Sequence, residues 1–362
     1  MLGALTSFGS KRYDQEMTRE NLRRRLRRGA RRATMSEVAT AAGVSTSTVS
    51  LFLRRPGAVS APLSRRVHDA IDRLGYVPNR MAGALASARS RVIGVIVPSM
   101  VNSFFAGTVE ALEAVVAPQG YQLLLGNSQY DEDREEAIAR AFLAWSPAAM
   151  VVTGLRHTRA TARLLIGADV PVVEVWEMGE SPLDMLVGFS HHKAGRTMAD
   201  HHYISGGRKR VAFIGAMLDR DRRAGARRKG YAAAVSARGA HEEMVLELPG
   251  RASTEAGAAA IVEVRRRWPE VDAVCCSNDT LALGVLFECS RRGWRVPGVI
   301  AVSGFGDLEF AAQTNPALTT IRPPREEIGR VAGEILLARF AGSSPRPLIH
   351  DLAFELIARA SG

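Results

Sequence analysis

Thr46, Ser47 and Ser50 set three hydroxyl groups close together in the segment STSTVSLFL. Hydroxyls near the start of a helix can donate to or accept from the edges of bases. A second group, His191, His192, His201 and His202, has the side chains of a metal site. Its spacing is not the i, i+4 pair that helical ligands favour and no carboxylate motif accompanies it, so no metal is expected. Cys275, Cys276 and Cys289 form no CxxC motif, and adjacent cysteines rarely bridge each other. Cys275 and Cys276 on one strand point to opposite faces as core residues. No disulfide framework follows, which fits a reducing cytoplasm. The chain has no GxGxxG at a strand–helix turn, no GxSxG and no P-loop, so the usual phosphate and nucleophile devices are missing. No cofactor is implied, and enzymes rank below binding proteins.

The hydroxyl cluster sits in a stretch, Thr34 to Leu53, that reads as two short helices. Thr34 and Glu37 have capping-box spacing. Val38, Ala41 and Ala42 give the first helix an apolar face, Gly43 supplies the reversal, and Ser45 caps the second helix. Val49, Phe52 and Leu53 are the buried side of that second helix. The layout is a helix-turn-helix, whose second helix reads the major groove; these residues alone also suit an ordinary helical hairpin. The loop RRPGAVSAP follows, then a third helix capped by Ser60, striped by Val67, Ala70, Ile71 and Leu74 and ended by Gly75. Arg54, Arg55, Arg65 and Arg66 are placed for phosphate contact or for solvent. In the connector YVPNRMAGALAS, Asn79 can cap a helix from Arg80 to Ala86 that is too short to stand alone in water.

Charge divides the chain the same way. The formal net charge is +11. Residues 1–33 hold ten Lys/Arg against three Asp/Glu, residues 34–87 six against three, and the remainder is near neutral. A basic N-terminal quarter on a neutral body is the electrostatic footprint of a nucleic-acid-binding module carried by a sensor. Residues 1–33 read as a basic tail without structure-forming signals, or as an over-extended start. No apolar run approaches the roughly 20 residues needed to cross a bilayer, and no secretory signal is expected.

From Arg91 the pattern changes to continuous apolar strands alternating with amphipathic helices. VIGVIVP, YQLLLGN, AAMVVTG and VPVVEVW are strands of one unit; RVAFIGA, MVLELP, DAVCCSND and VIAVSGFG are strands of a second. Such runs belong to parallel sheets covered on both faces. The helix Arg325 to Phe340 and the final short strands are expected to return to the first unit. Two doubly wound units bring the C-terminal ends of their strands to one cleft, where open α/β sheets bind small ligands.

At this point the sequence resembles the lactose-repressor (LacI/GalR) family of bacterial transcription regulators over nearly its whole length from Thr34. The carrying segments, in the family's order, are VATAAGVSTSTVSLFL, RLGYVPNRMAGAL, GVIVPSMVNSFF, RKGY at Arg228 to Tyr231, SNDTLALG and NPALTTIRPP. VPVVEVWEMGESPLDMLVGF looks like the gluconate-utilisation repressors within it. The resemblance implies an N-terminal all-α helix-turn-helix domain plus an α/β periplasmic-binding-protein-like (type I) domain of two lobes. It implies a cytoplasmic homodimer or tetramer on operator DNA, a small sugar or sugar acid as effector, and no membrane. The expected divisions are a tail over 1–33, the DNA-binding domain over 34–76, a hinge over 77–90 and the effector and dimerisation domain over 91–362.

By the same resemblance, base reading falls to Thr46, Ser47, Thr48, Ser50 and Leu51, with Asn79 in the hinge and Leu85 as a minor-groove wedge. Many relatives carry arginine or histidine at the Leu51 position; leucine offers only apolar contact, such as to a thymine methyl. The effector is expected to meet Asn102, Phe104, Phe105, Trp176, Arg227, Asn278 and Asp279. A guanidinium at Arg227 can grip a carboxylate bidentately, Trp176 can stack on a sugar ring or fill the wall, and Asp279 can instead cap a helix from Thr280. Gly306 replaces an aspartate common in relatives, which removes a repulsion against an anionic ligand. The competing readings are a sugar-binding or sugar-acid-processing α/β protein without a regulatory role.

Overall fold

The computed structural model describes residues 33–77, 90–101, 103–239, 242–344 and 346–362. Chain contacts divide it after Ser87 into two units. Asn79, Leu85, Asn102, the short helix expected over Arg80–Ala86 and the basic tail through Arg32 lie outside the described residues.

The N-terminal unit is three helices, α1 (Met35–Ala42), α2 (Thr46–Arg54) and α3 (Ala61–Leu74). The capping box closes α1 from both sides: Glu37 N donates to Thr34 Oγ1, and Thr34 N donates to Glu37 Oε2 at 2.7 Å. Gly43 then turns the chain at φ 63°. Ser45 Oγ accepts from Thr48 N and starts α2. Val38, Ala39, Ala42, Val49, Val67, Ala70 and Tyr76 make the core. Ala39 is buried where Ala41 was expected, because α1 turns its exposed face through Ala41. Ser60 stands at the start of α3, but its side chain makes no capping hydrogen bond; Pro62 in the first turn removes one of the donors a cap would serve.

The second unit holds two lobes of parallel sheet. In the first, β1 (Val92–Val97), β2 (Gln122–Asn127), β3 (Ala149–Thr153), β4 (Val172–Val175) and β5 (Met185–Gly188) alternate with α4 (Ser103–Val116), α5 (Glu132–Leu143) and α6 (Arg159–Gly167). In the second, β6 (Val211–Ala216), β7 (Val245–Leu248), β8 (Ala273–Cys276), β9 (Ala301–Phe305) and β10 (Thr319–Arg322) alternate with α7 (His191–Asp200), α8 (Arg222–Ser236), α9 (Thr254–Arg267) and α10 (Asp279–Arg291). Then come α11 (Arg325–Phe340), β11 (Ile349–Asp351) and β12 (Glu355–Ile357).

The strand orders are β11-β5-β4-β3-β1-β2 and β12-β10-β9-β8-β6-β7, the same winding twice. Among the described residues only β12 runs antiparallel, against β10. The tail therefore does not return to the first lobe alone. There α11 packs on α4, with Thr108 Oγ1 donating to Arg325 O at 2.8 Å, and β11 extends the first sheet beside β5. β12 crosses back and edges the second sheet. The short strands β5 and β10 also join these sheets, beyond the strands read from sequence.

Alternate residues divide between the faces of each sheet, as a period of two requires. Val95 and Val97 enter one core, Ile96 another. Cys275 and Cys276 likewise lie in different cores, and all three cysteines are buried free thiols. Among the described residues no helix is long and apolar enough to cross a membrane.

Candidate functional site

In both sheets the winding reverses beside the first strand, and the residues just past the strand ends converge there. Phe104 and Phe105 follow β1, Tyr130 follows β2, Trp176 follows β4 and His191 follows β5. From the other lobe Asp221, Arg223 and Arg227 follow β6, Arg251 follows β7, Asn278 follows β8 and Phe305 ends β9. Together they line a cavity of about 80 Å³. Tyr130 and Arg223 also wall a larger, charged compartment of about 380 Å³, bordered by Asp131, Arg156, Glu177 and Arg220.

Arg227 is the centre of the inner cavity. Its Nη1 lies 2.8 Å from His191 Nδ1, its Nη2 donates to Ser277 O at 2.8 Å, and its guanidinium stacks 4.0 Å from the centroid of Phe305. Its Nε is buried without a hydrogen-bond partner among the described residues. The side chain makes no ion pair among the described residues. Burial, only partly offset by the more distant Asp221, lowers its pKa to about 10. Asp221 and Asp279 act on it only through space, so the buried cation still lacks a carboxylate in contact and leaves a demand for an anion.

The neighbouring arginines are already satisfied. Arg223 is buried but pairs with Glu177 at 3.3 Å and approaches Asp221 at 3.9 Å. Asp221 Oδ1 in turn accepts from Ala224 N and caps α8. Arg251 donates to Gln129 Oε1 at 2.9 Å, and Arg222 pairs with Glu132 at 2.7 Å. The Arg223–Glu177, Arg251–Gln129 and Arg222–Glu132 contacts run between the lobes at the mouth of the cleft.

His191 explains how Arg227 is held. An arginine can only donate, so His191 Nδ1 accepts and Nε2 carries the hydrogen that reaches Trp176 O at 2.8 Å. Burial and the two arginines keep its pKa well below the ordinary histidine value, so the ring is neutral. The α7–α8 crossing allows this approach. A Cβ on Gly195 would lie 2.0 Å from Arg227 O, and one on Gly230 2.0 Å from His192 O, so two glycines let the backbones touch.

Trp176 is buried, with φ 72°, a costly backbone state for a bulky residue. Its Nε1 donates to Thr108 Oγ1 at 3.1 Å and its ring packs 5.1 Å from Phe105. Asn278 caps α10, its Oδ1 accepting from Leu281 N at 3.0 Å, which leaves its amide N–H groups as donors for the cleft.

Asp279 departs from the expected ligand set. It is fully buried, its oxygens accept from Thr320 Oγ1 at 2.6 Å and Leu308 N at 2.9 Å, and it does not border the cavity. It is the first residue of α10 rather than its cap. Gly306 has φ 136°, and a Cβ there would meet the Phe104 ring at 1.9 Å, so the ring occupies the space a side chain would need.

Phe104, Phe105, Trp176, Arg227 and Asn278 thus come together. Sequence reasoning passed over His191, Tyr130, Arg223 and Phe305. Position at or just past a strand end was the available signal for Tyr130 and Phe305; the strand before His191 is too short to read from sequence, and Arg223 stands further on, in α8.

On the N-terminal unit, α2 exposes Thr46, Ser47 and Leu51. Thr48 is half-buried, its hydroxyl 2.9 Å from Ser45 Oγ inside the cap, and Ser50 is half-buried. Arg66 Nη2 donates to Gly43 O at 3.3 Å and Arg73 Nη2 to Ala41 O at 3.4 Å, so both serve the open carbonyls at the end of α1. Arg55 and Arg65 remain exposed.

Residues 34–79 match the family described as bacterial regulatory proteins, lacI family, and residues 201–362 match a periplasmic binding protein-like domain. The chain is 41% identical to the HTH-type transcriptional regulator GntR of Pseudomonas aeruginosa over 91% of its own length and 96% of the relative's. It is 36% identical to the GntR regulator of Escherichia coli K12, covering 90% and 97%. A LacI-family transcriptional regulator from Silicibacter pomeroyi superposes with a TM-score of 0.86 at 32% identity, covering 91% of this chain and 99% of that one.

Proposed function

The chain belongs to the LacI family of bacterial regulatory proteins, and from that premise we propose that it is a repressor whose operator affinity is set by a sugar acid, gluconate, held between its two lobes. Members of the family are transcriptional regulators that bind operator DNA and small-molecule effectors; they are not enzymes. The step beyond family membership rests on one observation. Arg227 is a desolvated guanidinium with no carboxylate partner and an unused Nε at the cavity.

A carboxylate supplies the missing charge and accepts from that nitrogen. The Asn278 amide donates to hydroxyls, and Phe104, Phe105 and Trp176 cover the carbon chain. Tyr130 and Arg223 line both the inner cavity and the larger compartment, whose carboxylates suit the hydroxyl donors of an acid anchored at Arg227. The resemblance of the Val170–Phe189 segment to gluconate-utilisation repressors supports the same ligand.

In this reading the protein is a homodimer. Thr46, Ser47 and Leu51 of α2 contact bases, with Thr48 and Ser50 supporting them, and Asn79 and Leu85 act at the hinge, where Leu85 wedges into the minor groove. Ligand changes how the lobes close, and it moves the DNA-binding equilibrium by its differential affinity for the two states. A thermal-shift comparison of gluconate with its uncharged amide tests the ligand class. Gluconate raising the melting temperature well above the amide supports the reading; equal shifts defeat it.

A further inference from the structure

We propose that His191 is the residue that makes the cleft select an anion over a neutral polyol, by giving Arg227 an acceptor that carries no charge. The inference rests on the sugar-acid reading above and names the device behind it. Arginines in protein interiors are ordinarily held by carboxylates, which fix the fork and cancel its charge together. Here the two tasks are separated. His191 Nδ1 and Ser277 O accept from the two terminal nitrogens, and Phe305 backs the plane. All three are neutral. The fork is fixed, and its charge remains available to the cleft.

His191 is itself fixed from the opposite side. Its Nε2–H donates to Trp176 O, which belongs to the strand ends of the first lobe, while Arg227 stands on α8 of the second. This bond sets the tautomer: with the hydrogen on Nε2, Nδ1 presents a lone pair to Arg227. The contact between α7 and α8 at Gly195 and Gly230 holds the two helix backbones close, which brings the two side chains within reach of each other. His191 is therefore a positioning residue for Arg227 and a specificity-determining residue for the effector's charge.

The test uses two nearly isosteric variants. In H191N the side-chain oxygen stands where Nδ1 stands and is neutral; in H191D the same position carries a negative charge. Both lose the bond to Trp176 O, so their difference isolates charge. Calorimetric titration of the full chain with gluconate and with gluconamide gives a preference ratio for each protein. Wild type and H191N should share a ratio favouring gluconate, and H191D should lose at least about tenfold of it. Equal ratios in H191N and H191D overturn the inference. A wild-type ratio near one instead defeats the sugar-acid reading itself. Should either variant lose its cooperative melting transition, imidazole ¹⁵N shifts of the wild-type chain decide. A neutral His191 with hydrogen on Nε2, both free and with gluconate, upholds the inference, and an imidazolium in either state overturns it.

Discussion

His191 Nδ1 and Arg227 Nη1 lie 2.8 Å apart, 36 residues apart in sequence, and the pair is buried in the cleft between two sheets. The contact leaves a guanidinium charged, oriented and unneutralised.

Arg227→Met keeps an unbranched side chain that ends near the Nε position and removes the guanidinium with its charge. The variant loses a desolvated charge but leaves His191 Nδ1 and Ser277 O without their donor, so its stability without ligand should stay within about 1–2 kcal/mol of wild type. Gluconate binding should fall by about 30-fold or more, from loss of a charged hydrogen bond. Calorimetry and thermal melting of the same preparation measure both. A variant that still binds gluconate as wild type does contradicts the account.

Gly195→Ala probes the helix contact. Its Cβ would sit 2.0 Å from Arg227 O, so α7 must move off α8. A destabilisation of about 1–3 kcal/mol is expected from overpacking, with weaker gluconate binding as His191 leaves Arg227. Denaturant unfolding and ligand titration report the two effects. Unchanged affinity would mean that helix spacing does not set the pair.

His157 gives a pH signature away from the cleft. It is buried, with Nδ1 2.5 Å from Glu135 and Nε2 facing Glu174 at 3.3 Å. Burial works to lower its pKa, but the two carboxylates outweigh burial and raise it to about 9. Its folded pKa lies above its unfolded value of about 6.5. Its stabilisation is therefore fully present below about pH 6.5 and is lost as pH rises through about 9, on the order of 3 kcal/mol in all. His157→Gln should flatten the decline in stability between those values. An equally steep decline in the variant contradicts the assignment.

Thr34→Ala removes the side-chain half of the capping box and should cost α1 about 1 kcal/mol. Operator binding should weaken modestly while gluconate affinity stays at the wild-type value. A change in gluconate affinity would show a coupling that the cap alone does not provide.

Much of this architecture is legible in the sequence because its signals are local. Thr34 and Glu37 are three residues apart, and VIGVIV is long and apolar enough to be a buried strand. The strands MLVG and TTIR are four residues each, too short for periodicity to separate them from loop, and only pairing with β4 and β9 reveals them. The tail divides between lobes for the same reason: β11 and β12 are defined by their partners.

The site follows this rule. Phe104, Phe105, Trp176, Arg227 and Asn278 stand in recognisable segments. His191 stands beside His192 and at first looks like half of a metal pair. Its role depends on Trp176 and Arg227, which only the fold brings to it. Asp279 errs in the opposite direction. It sits in a recognisable segment, yet Thr320 and Leu308, far along the chain, take up its carboxylate.

The central claim is that an anion at Arg227 controls DNA binding. Its most direct test is the operator affinity of the full chain, measured by fluorescence anisotropy with and without saturating gluconate. The duplex is one recovered by selection from random DNA. Wild type should change affinity by at least about fivefold, and Arg227→Met should bind the same duplex with no response to gluconate. An operator affinity that gluconate leaves unchanged in the wild-type chain contradicts the account.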